Sequence, residues 1–382
     1  MNLILKLISG IAAGMLVGLY GPDFLVRLLL TGQTLIGQLI GFTIPLIIFF
    51  FIGSGIASMS SQGSGLLGKT VGVAYGSTLL AGLIAFGVAS LVVPSLTTEL
   101  AAVDEEARVL KSFIELDIPP IFGVMTALAL AFVFGMGASK LQRQNLIGGL
   151  EAGRDVIDLL LRSVIIPLLP FYIAGVFADM AAAGTVFDTL QTFGVVLLVA
   201  LVMHWGYISV LYVVTGLANG KPPLGLLKTM LPAYVTALGT MSSAATIPVS
   251  LRQVKENGVT PEVANVTVPL CASIHLAGST ITIVTCAMAV MHLSPELGLP
   301  SLGEALPFIM MLGVVMIAAP GAPGGAVMAA LGLLTGMMGF NEAAVGLMIA
   351  LYLAQDSFGT ACNVTCDGAL SVWVDRWSGK QS

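Results

Sequence analysis

Gly239-Thr-Met-Ser-Ser-Ala-Ala-Thr-Ile-Pro248 interrupts an otherwise apolar run that extends from Pro223 to Gly258. Lys221 and Lys228 flank the start of that run, and Arg252 and Lys255 flank its end. Positive charge is retained on the cytoplasmic face of a membrane, so a segment basic at both ends enters and leaves on that face. The pattern predicts a re-entrant hairpin over 223–258 with a serine-rich tip. A second run, 303–339, is broken at Ala319-Pro-Gly-Ala-Pro-Gly-Gly325. At a rise of ~1.5 Å per residue, neither half is long enough to cross a bilayer. Non-helical backbone at that depth survives only where protein buries it or a cavity solvates it. Two interrupted segments, one from each side, point to a central solute site. Two spanning helices kinked by Pro and Gly are the alternative.

Composition agrees with a membrane setting. The chain has 382 residues, 57% hydrophobic and 9% charged. Soluble domains carry about 25% charge, so this is a polytopic membrane protein. The net charge of −5, with no basic cluster, gives no reason to expect a nucleic-acid partner. The four cysteines lie in apolar segments and read as small buried hydrophobes rather than a disulfide framework. The apolar run 3–20 lacks a small-residue cleavage site and reads as a first span. Further spans are expected over 33–58, 69–95, 117–139, 156–180 and 187–218. With the N-terminus inside, the inner loops and ends hold Lys6, Lys69, Lys140, Arg143, Arg154, Lys221, Lys228, Arg252, Lys255, Arg376 and Lys380. The outer loops hold only Arg27, Arg108 and Lys111, beside Asp104, Glu105 and Glu106. This asymmetry predicts that both termini are cytoplasmic.

Two stretches between and after the hairpins carry the chemistry. Gln355-Asp-Ser-Phe-Gly-Thr-Ala-Cys-Asn-Val-Thr-Cys-Asp367 falls inside an expected helix over 342–374. Asp356, Thr360, Asn363 and Asp367 follow i, i+4, i+7, i+11 and share one helical face. A carboxylate near the bilayer centre costs at least ~2.5 kcal/mol, so two on one stripe need partners or water. A solute or ion site facing the protein interior explains them; a packed polar seam is the plainer alternative. The other stretch, Ser273-Ile-His-Leu-Ala-Gly-Ser-Thr280, interrupts a span over 262–293 with His275 near its middle. Gly278, flanked by Ser279 and Thr280, permits local unwinding that frees carbonyl oxygens, the hard ligands a cation prefers. His275 reads either as functional or as a satisfied core histidine.

Other classes of function are weaker. Cys271/His275 and Cys362/Cys366 are i, i+4 pairs that could mimic a thiolate–imidazole metal site, but no loop motif accompanies them. Ser243 and His275 could form a hydrolase pair, but no Gly-x-Ser-x-Gly elbow is present. A passive channel or structural membrane protein remains as a third class.

Ser242-Ser-Ala-Ala-Thr-Ile-Pro248, His275-Leu-Ala-Gly-Ser279, Gly321-Ala-Pro-Gly-Gly325 and Asn363-Val-Thr-Cys-Asp367 occur in this order. In that order they resemble the dicarboxylate/amino acid:cation symporter family, the glutamate transporters and their bacterial relatives. The family patterns are a serine-rich hairpin tip, Asn-Met-Asp-Gly-Thr, a Gly-x-Pro-Gly tip and Asn-x-x-x-Asp. The likeness covers the C-terminal half well and the first six spans more loosely, and 97–121 looks shorter than the family's fourth helical region. The resemblance implies an all-α membrane protein of eight transmembrane helices plus two re-entrant helical hairpins, an elevator-type transporter assembled as a homotrimer among membrane lipids. Residues 1–222 would be mainly scaffold, with spans 69–95 and 187–218 joining the transport domain, and 223–382 would form the transport core.

Carried over residue by residue, Asp356 would take a substrate's amino group and Asn363 its α-carboxylate. Ser242, Ser243, Ser279, Thr360 and the tip Gly321, Ala322, Pro323, Gly324 would complete the substrate site. Asp367 would bind sodium (Na+) by its side chain, helped by carbonyls near Cys271, His275 and Asn363. A second sodium would lie between Ser273, Leu276 and the outer hairpin. Family members that carry acidic substrates place an arginine one position before Thr360 or at the first hairpin tip; those positions here are Gly359 and Met241. A second substrate carboxylate would then lack a charge partner. An arginine at Gly359 is expected to shift preference toward acidic solutes. His275 and Ala277 replace the asparagine and aspartate of Asn-Met-Asp-Gly, which weakens a third sodium site, although Ser77 and Thr78 offer hydroxyls there. An imidazole titrates near neutral pH, so H+ could stand in for one sodium. Ala277 and the Gln355-Asp-Ser357 stretch around Asp356 resemble the serine/threonine-transporting branch. The expected function is sodium-driven uptake of a small neutral amino acid across an inner membrane, with proton- or sodium-coupled transport of acidic amino acids or dicarboxylates as the alternative.

Overall fold

The computed structural model describes residues 3–59, 65–96, 108, 110–114, 116–294, 296–319 and 323–378. Among them are sixteen α-helices and no strand. They are α1 (Leu3–Tyr20), α2 (Asp23–Ile47), α3 (Gly53–Met59), α4 (Gly65–Val92), α5 (Val124–Leu141), α6 (Gln144–Leu160), α7 (Ile166–Ala182) and α8 (Val186–Asn219). The second half holds α9 (Pro223–Thr240), α10 (Ser243–Glu256), α11 (Pro261–Ile274), α12 (Ala277–Leu293), α13 (Leu302–Ile317), α14 (Gly325–Met337), α15 (Glu342–Leu353) and α16 (Asp356–Ser378). Turns of π-helix at Ile48–Ile52 and Leu161–Ile165 join α2 to α3 and α6 to α7.

By length and composition, six helical segments among the described residues can cross a bilayer: Asp23–Ala57, Gly65–Ser95, Val124–Leu141, Gln144–Ala182, Val186–Asn219 and Pro261–Leu293. The pair α15–α16 adds a seventh if it counts as one span. Boundaries differ from the expected ones where the backbone chemistry is local. The span expected over 117–139 starts at Val124, because Pro119 and Pro120 bias the preceding backbone away from helix. The span expected over 156–180 is the second half of a rod starting at Gln144, whose first part carries the charged residues Glu151, Arg154, Asp155 and Asp158. One correction is larger. The single helix expected over 342–374 is two helices, bent by 59° at Ala354–Gln355. Asp356 therefore opens a helix instead of lying within one.

The two interrupted segments fold back on themselves. At the base of α9–α10, Asn257 Nδ2 donates to the Leu226 carbonyl (3.1 Å) and Lys221 Nζ to the Asn257 carbonyl (2.8 Å). Their tip needs only Met241, left-handed at φ 53°, and Ser242, whose side chain caps α10 by accepting from Ala245 N–H. At the base of α13–α14, Asn341 Nδ2 donates to Glu296 Oε1 (3.2 Å).

The centre of the molecule is α16, packed by α8, α9, α10, α11 and α12. Every residue from Ala277 to Met291 of α12 is buried, which marks an all-round core helix. On the outside, α8 exposes Leu198, Val202, Val210 and Leu217, an uncharged stripe suited to hydrocarbon. α1 lies on α7 through Gly10, Gly14 and Gly18, where an added Cβ would sit 2.4, 2.2 and 2.5 Å from the carbonyl oxygens of Pro170, Ala174 and Ala178. Small residues at this spacing let two backbones meet in a membrane. Gly14→Val should cost about 1–3 kcal/mol by overpacking. It should lower the thermal midpoint of the purified protein. Gly194→Ala, where a Cβ meets nothing within 4 Å, should not.

Candidate functional site

Helix α11 stops at His275 (φ −106°, ψ 99°) and α12 restarts after Leu276 (φ −121°, ψ 45°). A helix that ends this way leaves its last carbonyls without amide partners. The amide groups opening α12 are met from another helix. Asn363 Oδ1 accepts from Gly278 N–H (2.7 Å) and Ser279 N–H (3.1 Å), and its Nδ2 donates to Ser279 Oγ (2.9 Å). Asn363 thus caps α12 from α16, at 0% exposure. Only glycine fits at 278, since a Cβ there would lie 2.3 Å from the Gly359 carbonyl oxygen.

Asp367 is 2% exposed, with Oδ1 2.7 Å from His275 Nδ1. An ionised carboxylate only accepts, so Nδ1 donates; a neutral ring then accepts at Nε2 from Ser77 Oγ, 2.9 Å away. Tyr207 donates to the Ser77 carbonyl (2.8 Å), with its oxygen 2.7 Å from Ser77 Oγ. Asp367, His275, Ser77 and Tyr207 form one buried hydrogen-bonded chain across α16, the α11–α12 break, α4 and α8. Ser77 is therefore engaged by His275, while Thr78 and Thr280 carry buried hydroxyls without a partner. The Cys271 carbonyl accepts His275 N–H (2.8 Å). Ser273 is exposed, and Leu276 is half-buried.

Asp356, 4% exposed, faces the second hairpin. Its Oδ2 accepts from Gly324 N–H (2.7 Å) and its Oδ1 from Tyr352 O–H (2.9 Å). Gly324 has φ 76°, a left-handed conformation that suits glycine, and caps α14. Pro323 lies beside it in the tip; Gly321 and Ala322 lie outside the described residues. Ser243 and Thr360 are buried, whereas Ser242 serves as the α10 cap. A Cβ at Gly359 would point at Thr282 Oγ1 (3.2 Å) and at Gly278 (3.5 Å). An arginine there would begin inside the α12–α16 contact, so its expected role in receiving acidic solutes does not follow from simple substitution.

Among the described residues no group of three His, Cys, Asp or Glu is placed to hold a metal. Cys362 and Cys366 bring their sulfurs to 4.0 Å, and the His275 ring turns toward Asp367. The buried ionisable side chains include Asp356, Asp367, Asp375, His204 and His275; no lysine or arginine is buried among the described residues. Asp375 caps α11 through Thr260 N–H (3.2 Å) and Oγ1 (2.7 Å). Tyr352, Tyr207 and His204 escaped the sequence reading. His204 Nε2 lies 3.0 Å from the Gly278 carbonyl and 3.1 Å from Thr282 Oγ1. Tyr352 had a signal, since it stands four residues before Asp356; the other two contacts come from chain-distant packing.

An all-helical, multi-pass membrane protein with two interrupted hairpins and buried carboxylates around a broken helix has the layout of a solute transporter. The sequence profile of the sodium:dicarboxylate symporter family matches residues 3–377, and the chain belongs to that family. It is similar to the serine/threonine transporter SstT of Acinetobacter baumannii (strain AYE), 29% identical over 405 positions, covering 100% of this chain and 98% of the relative. The serine/threonine transporter SstT of Streptococcus suis (strain 05ZYH33) is 29% identical over 346 positions, covering 85% of this chain and 91% of that protein. The family and these relatives are transporters, not enzymes.

Proposed function

We propose that the chain is a sodium-coupled symporter for a small neutral amino acid of the serine, threonine or alanine type. The observation that carries this is the charge inventory of the interior: carboxylates at Asp356 and Asp367 on α16, and no buried lysine or arginine among the described residues. Asp356 suits an amino group, which donates where Gly324 N–H and Tyr352 O–H now donate. A neutral amino acid needs no further charge. A second carboxylate would be desolvated without a cation, which costs several kcal/mol. The names of the relatives point the same way.

Sodium enters as a co-transported substrate. Asp367 and the free-ended carbonyls of α11 are hard oxygen donors that suit a small cation, and Thr78 and Thr280 carry further buried hydroxyls without a partner. In this assignment Asp367, with carbonyls near Cys271, His275 and Asn363, forms one sodium site. A second lies between Ser273, Leu276 and the outer hairpin. Ser243, Ser279, Thr360, Asn363 and the Gly321–Gly324 tip, with the Ser242 cap, close around the amino acid. Asn363 has to exchange its contacts with α12 to receive an α-carboxylate, so loading and the α11–α12 break are coupled.

For the architecture we count α1 as an eighth span and α9–α10 and α13–α14 as re-entrant hairpins. The 223–382 core, joined by α4 and α8, moves as an elevator against a scaffold built from the rest of 1–222. The protein sits as a homotrimer in an inner membrane with both termini cytoplasmic. The packing of α16 against α8 to α12, and its lack of comparable contact with α1 and α2, supports that division.

The substrate assignment is tested by competition in proteoliposomes against labelled serine. Unlabelled serine, threonine or alanine should reduce uptake at least about tenfold more effectively than aspartate or succinate, since unpaired burial of a polar group costs about 1–3 kcal/mol or more. Stronger competition by aspartate or succinate sinks it.

A further inference from the structure

Away from the carboxylates of α16, a cavity of about 700 Å³ opens between α2, the segment leading into α5, α7 and the α14–α15 junction. That volume is typical of small-molecule sites, which run to roughly 300–1,000 Å³. Its walls are largely apolar, with Ile40, Ile44, Val124, Phe340 and Val345 among them. Its one ionisable carboxylate is Glu342, on the first turn of α15.

Glu342 is exposed, and the hydrogen bonds described around it bring no cationic partner. Gln38 Oε1 accepts from Ile118 N–H (3.0 Å), which turns the amide nitrogen toward Glu342 Oε1 (2.7 Å). Tyr172 donates to the Glu342 backbone carbonyl (3.1 Å), not to its carboxylate. None of the ion pairs among the described residues includes Glu342. The nearest further charge in this network is another carboxylate, Glu296, bound to Asn341 Nδ2. A place on the first turn of a helix explains why a carboxylate is tolerated there. It does not explain a void of this size in front of it, or a glutamine held by the 116–120 backbone to orient one of its oxygens.

We propose that this cavity binds an amphiphilic organic cation, a primary amine on an apolar body, with the ammonium on Glu342 and the body against Ile40, Ile44 and Phe340. An ammonium group supplies the missing charge and donates to the carboxylate. Its donors also suit the geometry better than those of a quaternary amine, which has none. The occupant touches α2 and α15 at once. On the proposed elevator movement, to which only this consequence is tied, it holds the scaffold and core together and slows uptake without competing with the amino acid.

The test is calorimetric titration of the full chain in lipid nanodiscs, with empty nanodiscs subtracted, using 4-phenylbutylamine and its uncharged counterpart 4-phenylbutanol. The amine should bind severalfold more tightly than the alcohol, up to about fivefold, because Glu342 is exposed and an exposed ion pair is worth up to about 1 kcal/mol. Glu342→Gln should remove that advantage and leave the alcohol unchanged. Gly41→Leu should abolish both, because a Cβ at Gly41 meets nothing within 4 Å and the leucine enters the void while Glu342 and the α15 cap stay intact. Equal binding of amine and alcohol to the wild type, or amine binding unaltered in both variants, overturns the site. In serine uptake the amine should lower the maximal rate with KM unchanged. Binding as described with undisturbed uptake upholds the site and counts against the movement.

Discussion

Asp356→Asn lowers uptake of labelled serine at sub-saturating concentration by at least about thirtyfold, the equivalent of about 2 kcal/mol for removing one charge of a desolvated pair. The substitution is close to isosteric, and its contacts can be remade. The amide oxygen accepts from Gly324 N–H, and the amide nitrogen donates to Tyr352 Oη, which is free to accept once its own proton turns away. Folding should therefore persist, and the thermal midpoint of the purified variant checks it. What is lost is the negative charge opposite the amino group. The effect should fall on KM for serine, with sodium activation little changed. Tyr352→Phe provides a milder companion, because it removes one donor to Asp356 without removing the charge. Wild-type uptake by a stably folded Asp356→Asn protein would take the amino-group site away from α16.

Asp367→Asn should abolish the sodium dependence of uptake altogether, leaving only the rate seen without sodium. His275 can serve either orientation of the new amide, since its two nitrogens exchange donor and acceptor roles and Ser77 Oγ does the same. The buried chain to Tyr207 is thus preserved in shape while the formal charge is gone. A cation in a dehydrated site depends on that charge more than on any single carbonyl. The measurement is serine uptake against external sodium. The variant should give a flat response where the wild type saturates. A sodium response that survives with only a modest rise in half-saturation would assign the ion to carbonyl ligands alone.

The interruptions between α9 and α10 and between α13 and α14 were legible because Gly, Pro and Ser clusters break long apolar runs. Helices α9, α10, α13 and α14 end and begin close to those clusters. The break at Ala354–Gln355 was not legible, for neither residue is a helix breaker. There the bend is a property of packing, with Tyr352 reaching across it to Asp356 and the Gly324 tip holding the other carboxylate oxygen. The candidate residues on α16 stand out by spacing and charge, since intramembrane carboxylates are costly enough to draw attention. Their partners were not. Ser77 meets His275 across 198 positions of sequence and Asn363 meets Gly278 across 85, and no local pattern encodes such contacts. Asn363 shows the difference most clearly. Its place on the polar stripe suggested a solute ligand, and the structure shows it capping the interrupted helix. Gln38 and Glu342 were invisible for a related reason, as each looks like an ordinary polar residue at a helix surface until Gln38 is seen to join the Ile118 amide to Glu342.

A sodium gradient should drive a neutral amino acid through this chain. Purified protein in proteoliposomes, loaded without sodium and diluted into sodium at equal pH on both sides, should concentrate labelled serine inside above the external level. Dissipating the sodium gradient should return it to equilibrium. Accumulation driven by a proton gradient in the complete absence of sodium, and lost in His275→Asn, would contradict the claim and make His275 the coupling residue.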